Sequence, residues 1–172
     1  MDGPKGEIVK KGPSLAALGL CVLVGLAGCS FFGDQGPPFV HWEPELSPDA
    51  TTLVYESEVE ESLELFARDL ASGVETRLTT NEAEDWSPSW SPEGDRVAFA
   101  SSRDDNADIY VVAIDSLVVQ RVTTSEADDI NPSWGVDGRI YFNSNRTDTW
   151  EIFVIDPDGS NLTKLTGSTP TD

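Results

Sequence analysis

Apolar positions divide the chain into two unlike parts. Leu15 to Gly28 reads LAALGLCVLVGLAG, an unbroken uncharged run. From about His41 onward the apolar residues come instead in short stretches separated by turn residues. In the middle of the chain Ser89–Ser91, Arg96–Ser102, Asp108–Ile114 and Gln120–Thr124 read as four strands. Val97, Phe99, Ile109, Tyr110, Val111 and Val112 are the β-branched and aromatic residues that strands favour. Pro92-Glu93-Gly94 supplies turn chemistry, with Gly94 free to take positive φ. Ile109 to Val112 is apolar without alternation, whereas a strand wetted on one face alternates. That strand is therefore expected to be covered on both faces. No apolar stripe at helical spacing runs beyond about eight residues, so helix is disfavoured throughout the second part.

The second part repeats itself. Pro88-Ser89-Trp90-Ser91-Pro92-Glu93-Gly94 recurs 44 positions later as Pro132-Ser133-Trp134-Gly135-Val136-Asp137-Gly138. It occurs 44 positions earlier as Pro44-Glu45-Leu46-Ser47-Pro48-Asp49-Ala50. Arg77-Leu78-Thr79 matches Arg121-Val122-Thr123 at 44 and Lys164-Leu165-Thr166 at a further 43, one residue having been lost near Arg139. Leu65-Phe66, Ile109-Tyr110 and Ile152-Phe153 keep the same phase. Three units result, at about 41–80, 81–124 and 125–166, each expected to form four short strands.

At these landmarks the chain resembles the WD40-like repeats of the TolB propeller family. The middle unit gives PSWSPEGDRVAFASSRDDNADIYV and then RVT; the third gives PSWGVDGRIYFNSNRTDTWEIFV and then KLT. The first is more diverged, with Leu46 where tryptophan stands in the others and Val59 where Arg103 and Arg146 stand. The resemblance covers roughly residues 41–166. It implies an all-β architecture of three four-stranded antiparallel propeller-type blades, a partial or open propeller. Trp90 and Trp134 are expected to pack between blades. Arg103 and Arg146 recur just before Asp108 and Glu151 and are expected to fix loops through ion pairs. TolB itself has an α/β domain and six blades; this chain has three units, and propellers close with four or more.

The first part reads as a targeting segment. Lys5, Lys10 and Lys11 precede the apolar run. The run is shorter than the about 20 residues a membrane-spanning helix needs. It ends in Leu26-Ala27-Gly28-Cys29, which resembles a bacterial lipobox. That likeness implies a diacylglycerol on the Cys29 thiol and cleavage just before it. Residues 1–28 then form a lipoprotein signal peptide, and 29–40 a lipidated cysteine with a tether broken by Gly33, Gly36, Pro37 and Pro38. Several acyl chains anchor firmly where one is marginal. Ser30, standing where an aspartate would retain the protein inside, implies by enterobacterial sorting rules an outer-membrane location facing the periplasm. Cys21 leaves with the signal peptide, so the mature chain is expected to hold no free thiol.

Charge narrows the partners. With 31 acidic against 11 basic residues the chain carries a formal charge of −20. That excludes nucleic-acid binding by phosphate neutralisation and argues against attraction to anionic lipid. A single histidine, His41, rules out a histidine-based metal cluster; it aligns with Asp85 and Asp129 at an expected loop position. No catalytic constellation is present. In an antiparallel four-stranded blade, the loop before strand one and the loop joining strands two and three lie at the same end. The first kind carries Glu82, Glu84, Asp85, Glu126, Asp128 and Asp129. The second carries Glu58, Glu60, Glu61, Asp104, Asp105 and Asp148. Twelve carboxylates are thus expected to project from one face, dense enough to bind Ca²⁺ or another hard cation, or to dock a basic partner. Their spacing matches no defined calcium loop, and simple solubility accounts for them equally well.

Three function classes follow. The leading one is a non-catalytic envelope lipoprotein that binds a protein or envelope glycan through a propeller-type surface. The second is an N-terminal fragment or accessory part of a longer propeller protein or propeller-bearing peptidase. The third is a structural envelope component. Unit three carries strands as apolar as those of unit two, so something is expected to cover it: further blades beyond Asp172 first, then a second copy, then another protein.

Overall fold

The computed structural model describes residues 41–59 and 62–167. Cys29, the tether, Glu60 and Glu61 lie outside them. Twelve strands form three sheets, each of four antiparallel strands in sequential order. Blade one holds β1 (His41–Leu46), β2 (Thr52–Val59), β3 (Ser62–Asp69) and β4 (Glu75–Arg77). Blade two holds β5 (Asp85–Trp90), β6 (Arg96–Asp104), β7 (Asn106–Ala113) and β8 (Val119–Arg121). Blade three holds β9 (Asp129–Trp134), β10 (Ile140–Ser144), β11 (Glu151–Ile155) and β12 (Thr163–Lys164). No described residue is helical.

The first strand of each blade starts earlier than its apolar residues suggest. β5 begins at Asp85, not at Ser89, and His41 is the first residue of β1, not a loop residue. The extra length contains a bulge at one repeat position, where Glu43, Ser87 and Asn131 take φ of 47°, 52° and 53°. A bulge adds a residue and breaks the alternation that marks a strand. β6 also runs further than expected, and Asp104 pairs with Asn106 across a tight turn at Asp105.

The core lies between the blades. Alternation along β6 and β7 sends Val97, Phe99, Tyr110 and Val112 toward blade one, where they and Trp90 of β5 meet Val54, Leu65, Ala67 and Leu78. The other side sends Ala98, Ala100, Ile109, Val111 and Val122 against Trp134, Ile140, Phe142, Phe153 and Ile155 of blade three. Every residue from Ala107 to Val112 is buried, as an apolar strand without alternation requires. Trp90 and Trp134 do pack between blades. Stacked pairs Tyr55–Phe66, Phe99–Tyr110 and Phe142–Phe153 repeat at one position, with centroids 6.0, 5.8 and 6.0 Å apart.

Polar contacts between blades repeat as well. The Trp90 N–H donates to Glu45 Oε2 at 2.9 Å, and the Trp134 N–H to Ser89 Oγ at 3.0 Å. Ser62 Oγ donates to the Ala83 carbonyl at 2.7 Å, and Asn106 Nδ2 to the Ala127 carbonyl at 2.8 Å. Each blade is thus tied to the next at its first strand and at the hairpin between strands two and three.

Candidate functional site

The loops gathered at one end of the blades hold the acidic residues, and the fold sorts these into two groups. Asp85 and Asp129 do not project from the face; both are fully buried. Arg103 Nη2 donates to both Asp85 oxygens at 2.8 and 3.0 Å, and Arg146 Nη2 to both Asp129 oxygens at 2.9 and 2.7 Å. Each guanidinium also donates through Nε to a serine, Ser101 at 2.8 Å and Ser144 at 2.9 Å. It lies over two rings of its own blade: Phe99 and Tyr110 for Arg103, Phe142 and Phe153 for Arg146. These arginines do form ion pairs that fix the loops, but their partners are across the sheet. The neighbouring Asp108 and Glu151 pair with Arg121 at 2.6 Å and Lys164 at 3.4 Å, as Glu64 pairs with Arg77 at 2.9 Å.

The reason is register. β5 and β6 place Asp85 opposite Ser101, and Arg103, two residues on, reaches back along the same side of the strand. Linear proximity of Arg103 to Asp108 is misleading because the hairpin between them turns the chain. Burial of an unpaired carboxylate is costly, so an acid at this position requires its guanidinium.

Two further acids are engaged locally. Asp104 accepts from the Tyr110 hydroxyl and faces Arg121 at 3.3 Å. Asp128 accepts from the Ala107 N–H at 3.2 Å and from Asn145 Nδ2 at 3.3 Å, bracing the loop before β9 against two hairpins. Glu58, Glu82, Glu84, Asp105, Glu126 and Asp148 are left exposed. None of these six forms an ion pair among the described residues. Nor does any group of three His, Cys, Asp or Glu side chains among the described residues converge there to hold a metal ion, so the geometry gives a Ca²⁺ ion no ready-made cage. What the end offers is a set of exposed carboxylates outside ion pairs among the described residues, with Arg103 and Arg146 committed to the buried Asp85 and Asp129.

Carboxylates at the first blade junction, Glu56 buried and Glu45 partly so, give the protein a pH response. Burial pushes the Glu45 carboxyl up against the lowering pull of the Trp90 N–H. Burial does the same to Glu56, against the pull of the Ser87 N–H. A raised folded value means that the folded chain takes up the proton more readily than the unfolded one. Stability therefore grows as pH falls through the folded value and is complete below the unfolded value near about 4.3. Asp49, Asp69, Asp95, Asp137 and Asp158 are held low by hydrogen bonds from neighbouring serine, threonine or arginine side chains. Their contribution is lost as pH falls through their folded values. The melting temperature is accordingly expected to rise as pH falls through the folded values of Glu45 and Glu56 and to fall below about 4. Thermal melts at constant ionic strength check this, and Glu45→Gln with Glu56→Gln should reduce the rise, leaving the part due to Asp108, whose carboxyl burial also pushes up.

The comparisons with known proteins agree with this architecture. The TolB β-propeller domain profile matches residues 38–171. Among curated proteins none matches the chain. Among solved structures, a TolB-type protein of Agrobacterium tumefaciens is 29% identical with a TM-score of 0.68, over 77% of this chain and 50% of that one. TolB from Acinetobacter baumannii is 25% identical with a TM-score of 0.68, over 75% of this chain and 33% of that one. A puromycin-hydrolysing peptidase of Mycobacterium tuberculosis, 16% identical with a TM-score of 0.63 over 76% of this chain and 22% of its own, shares the fold. The chain thus spans half or less of the length of these structures. The repeat landmarks, the three four-stranded sheets and the matched profile together make the chain a member of the TolB β-propeller family.

Proposed function

We propose that the protein is a lipid-anchored component of the bacterial cell envelope that binds, without catalysis, a protein or envelope glycan through the acidic end of its blades. One observation carries this reading. Six exposed carboxylates outside any ion pair among the described residues share an end whose Arg103 and Arg146 are already paired with buried acids, so negative charge predominates there for a cationic group. The same end receives the chain from the tether, because β1 starts there at His41.

Two measurements test it. Metabolic labelling with a fatty acid should mark the wild-type chain and give a mature N-terminus at Cys29, while Cys29→Ala should be unlabelled and uncleaved. A Cys29→Ala chain that is still cut there and still membrane-bound would overturn the anchor. For the binding end, a photo-crosslinker placed at Glu126 should trap an envelope partner. One placed at Val136, at the opposite end of blade three, should not. Equal trapping from both ends, or from neither, would overturn the acidic-end reading.

A further inference from the structure

The junction of blades one and two carries a groove that the packing does not fill. One wall is the stretch from Leu78 to Asn81, which links β4 to β5. The other is Arg103 of β6 with Leu117 and Val119 around the turn between β7 and β8. Every residue of the two walls is among those described. The cavity measures about 170 Å³, and Leu78, Leu117 and Val119 form its apolar side. An apolar cavity of roughly 150 Å³ takes a group the size of benzene, so a leucine-sized side chain fits. A wider hollow adjoins it, sharing Asn81 and Arg103 and adding Glu82, Ala83 and Ser102. Glu82 is exposed and outside any ion pair among the described residues.

Three side chains along the groove do more than pack. Leu117 takes φ of 55°, in the left-handed region that a Cβ disfavours. The same turn position holds Gly73 in blade one and Gly159 in blade three, at φ of 72° and 86°. In all three blades its N–H donates back to the residue that opens the turn, Asp69, Ala113 or Asp156, at 2.9 Å. Leu117 is nonetheless 42% exposed, so little burial of its own offsets the strained backbone. Strain of this kind persists chiefly at functional sites. Arg103 gives Nε to Ser101 and Nη2 to Asp85, and its Nη1 goes to no described residue. The exposed Thr80 hydroxyl has no described partner either. The loop beside them is braced: Asn81 Nδ2 donates to Asp85 at 2.5 Å, and the Ala83 N–H to Asn81 Oδ1 at 2.8 Å. A rigid site lowers the ordering cost of binding. At the next junction Arg146 and Thr124 recur, but Gly159 stands at the lip, where a Cβ would come within 3.0 Å of the Val122 carbonyl.

We propose that this groove docks a segment of a protein partner in which an aliphatic residue stands next to a basic one. The aliphatic side chain enters between Leu78 and Leu117. A backbone carbonyl accepts from Arg103 Nη1 and from the Thr80 hydroxyl, and the basic residue reaches Glu82. Asp85 offsets the charge of Arg103, which suits the guanidinium to an uncharged carbonyl. A carboxylate would instead meet the net charge of −20, which repels anions and draws cations. This docking rests on the acidic-end reading above, and it makes the partner a protein carrying that pair of residues.

Nuclear magnetic resonance tests it, with acetyl-Lys-Leu-Lys-amide titrated into the nitrogen-15-labelled full-length Cys29→Ala chain in mild detergent. The amides of Thr80, Asn81 and Leu117 should shift and saturate. Acetyl-Lys-Ser-Lys-amide, equal in charge, should bind at least about tenfold more weakly, the worth of burying one leucine side chain. Leu117→Gly should weaken the leucine peptide roughly fivefold through lost apolar contact. It should melt no lower than wild type, since glycine suits the left-handed turn. Thr80→Val, which keeps the test open if Leu117→Gly fails to fold, should weaken binding about threefold, the worth of one hydrogen bond. Equal binding of the two peptides, or shifts from the leucine peptide that spare Thr80 and Leu117, would overturn the groove and leave the acidic end standing. Unchanged binding in both variants would overturn it as well. Trapping through Glu126 decides the acidic-end reading separately.

Discussion

Arg103→Val is expected to lower the melting temperature by roughly 10 °C or more. Its guanidinium is the only cationic partner of the Asp85 carboxylate among the described residues, and that carboxylate has no access to solvent. Removing one member of a buried pair leaves the other charged and uncompensated, at a cost of about 3–5 kcal/mol. The loss of the guanidinium from above Phe99 and Tyr110, 5.4 and 4.5 Å from their centroids, adds a smaller packing term. The double variant Asp85→Asn with Arg103→Val should melt above the Arg103→Val single variant, because it removes the stranded charge. The protein has made such a change itself: blade one carries His41 and Val59 at these two positions, acid and arginine having been replaced together. If the double variant melts at or below the single one, the two residues are not coupled as the geometry implies.

Phe99→Ala is expected to cost about 3–5 kcal/mol, the usual figure for emptying a fully buried phenylalanine site. Phe99 has no solvent exposure and lies at the centre of the junction between blades one and two. In a stack of repeats each blade is held mainly by its neighbours, so the damage should fall unevenly. Hydrogen exchange should accelerate in β2 and β3, which depend on that junction, and change less in β10 and β11, which pack against the other side of blade two. Phe142→Ala should give the mirror pattern. Uniform acceleration in both variants would show that the three blades unfold as one unit. A loss below about 1 kcal/mol would mean that the junction is not packed around this ring.

Strand composition and a period of 44 residues determined, from the sequence alone, the all-β class, the number of units and the four strands in each. An apolar strand without alternation already required cover on both faces, and Ala107 to Val112 is buried along its whole length. Those features are local or periodic, and each recurs in other copies of the repeat, so a single chain carries its own confirmation. The acidic end was legible only in part. The sequence placed Asp85 and Asp129 with their neighbours on a solvent-facing loop, because a carboxylate beside other carboxylates looks like surface. Tertiary structure moved both inside, since a bulge at Ser87 or Asn131 lengthens the first strand and pairing sets each acid within reach of Arg103 or Arg146. The partner of a charge is chosen by cross-strand register, which spacing along the chain does not encode. The two sides of a blade were likewise inseparable by composition. Blade three looked as apolar as blade two, and only the alternation fixed by its packing shows that Phe153 and Ile155 face inward while Tyr141, Asn143 and Ile152 face away.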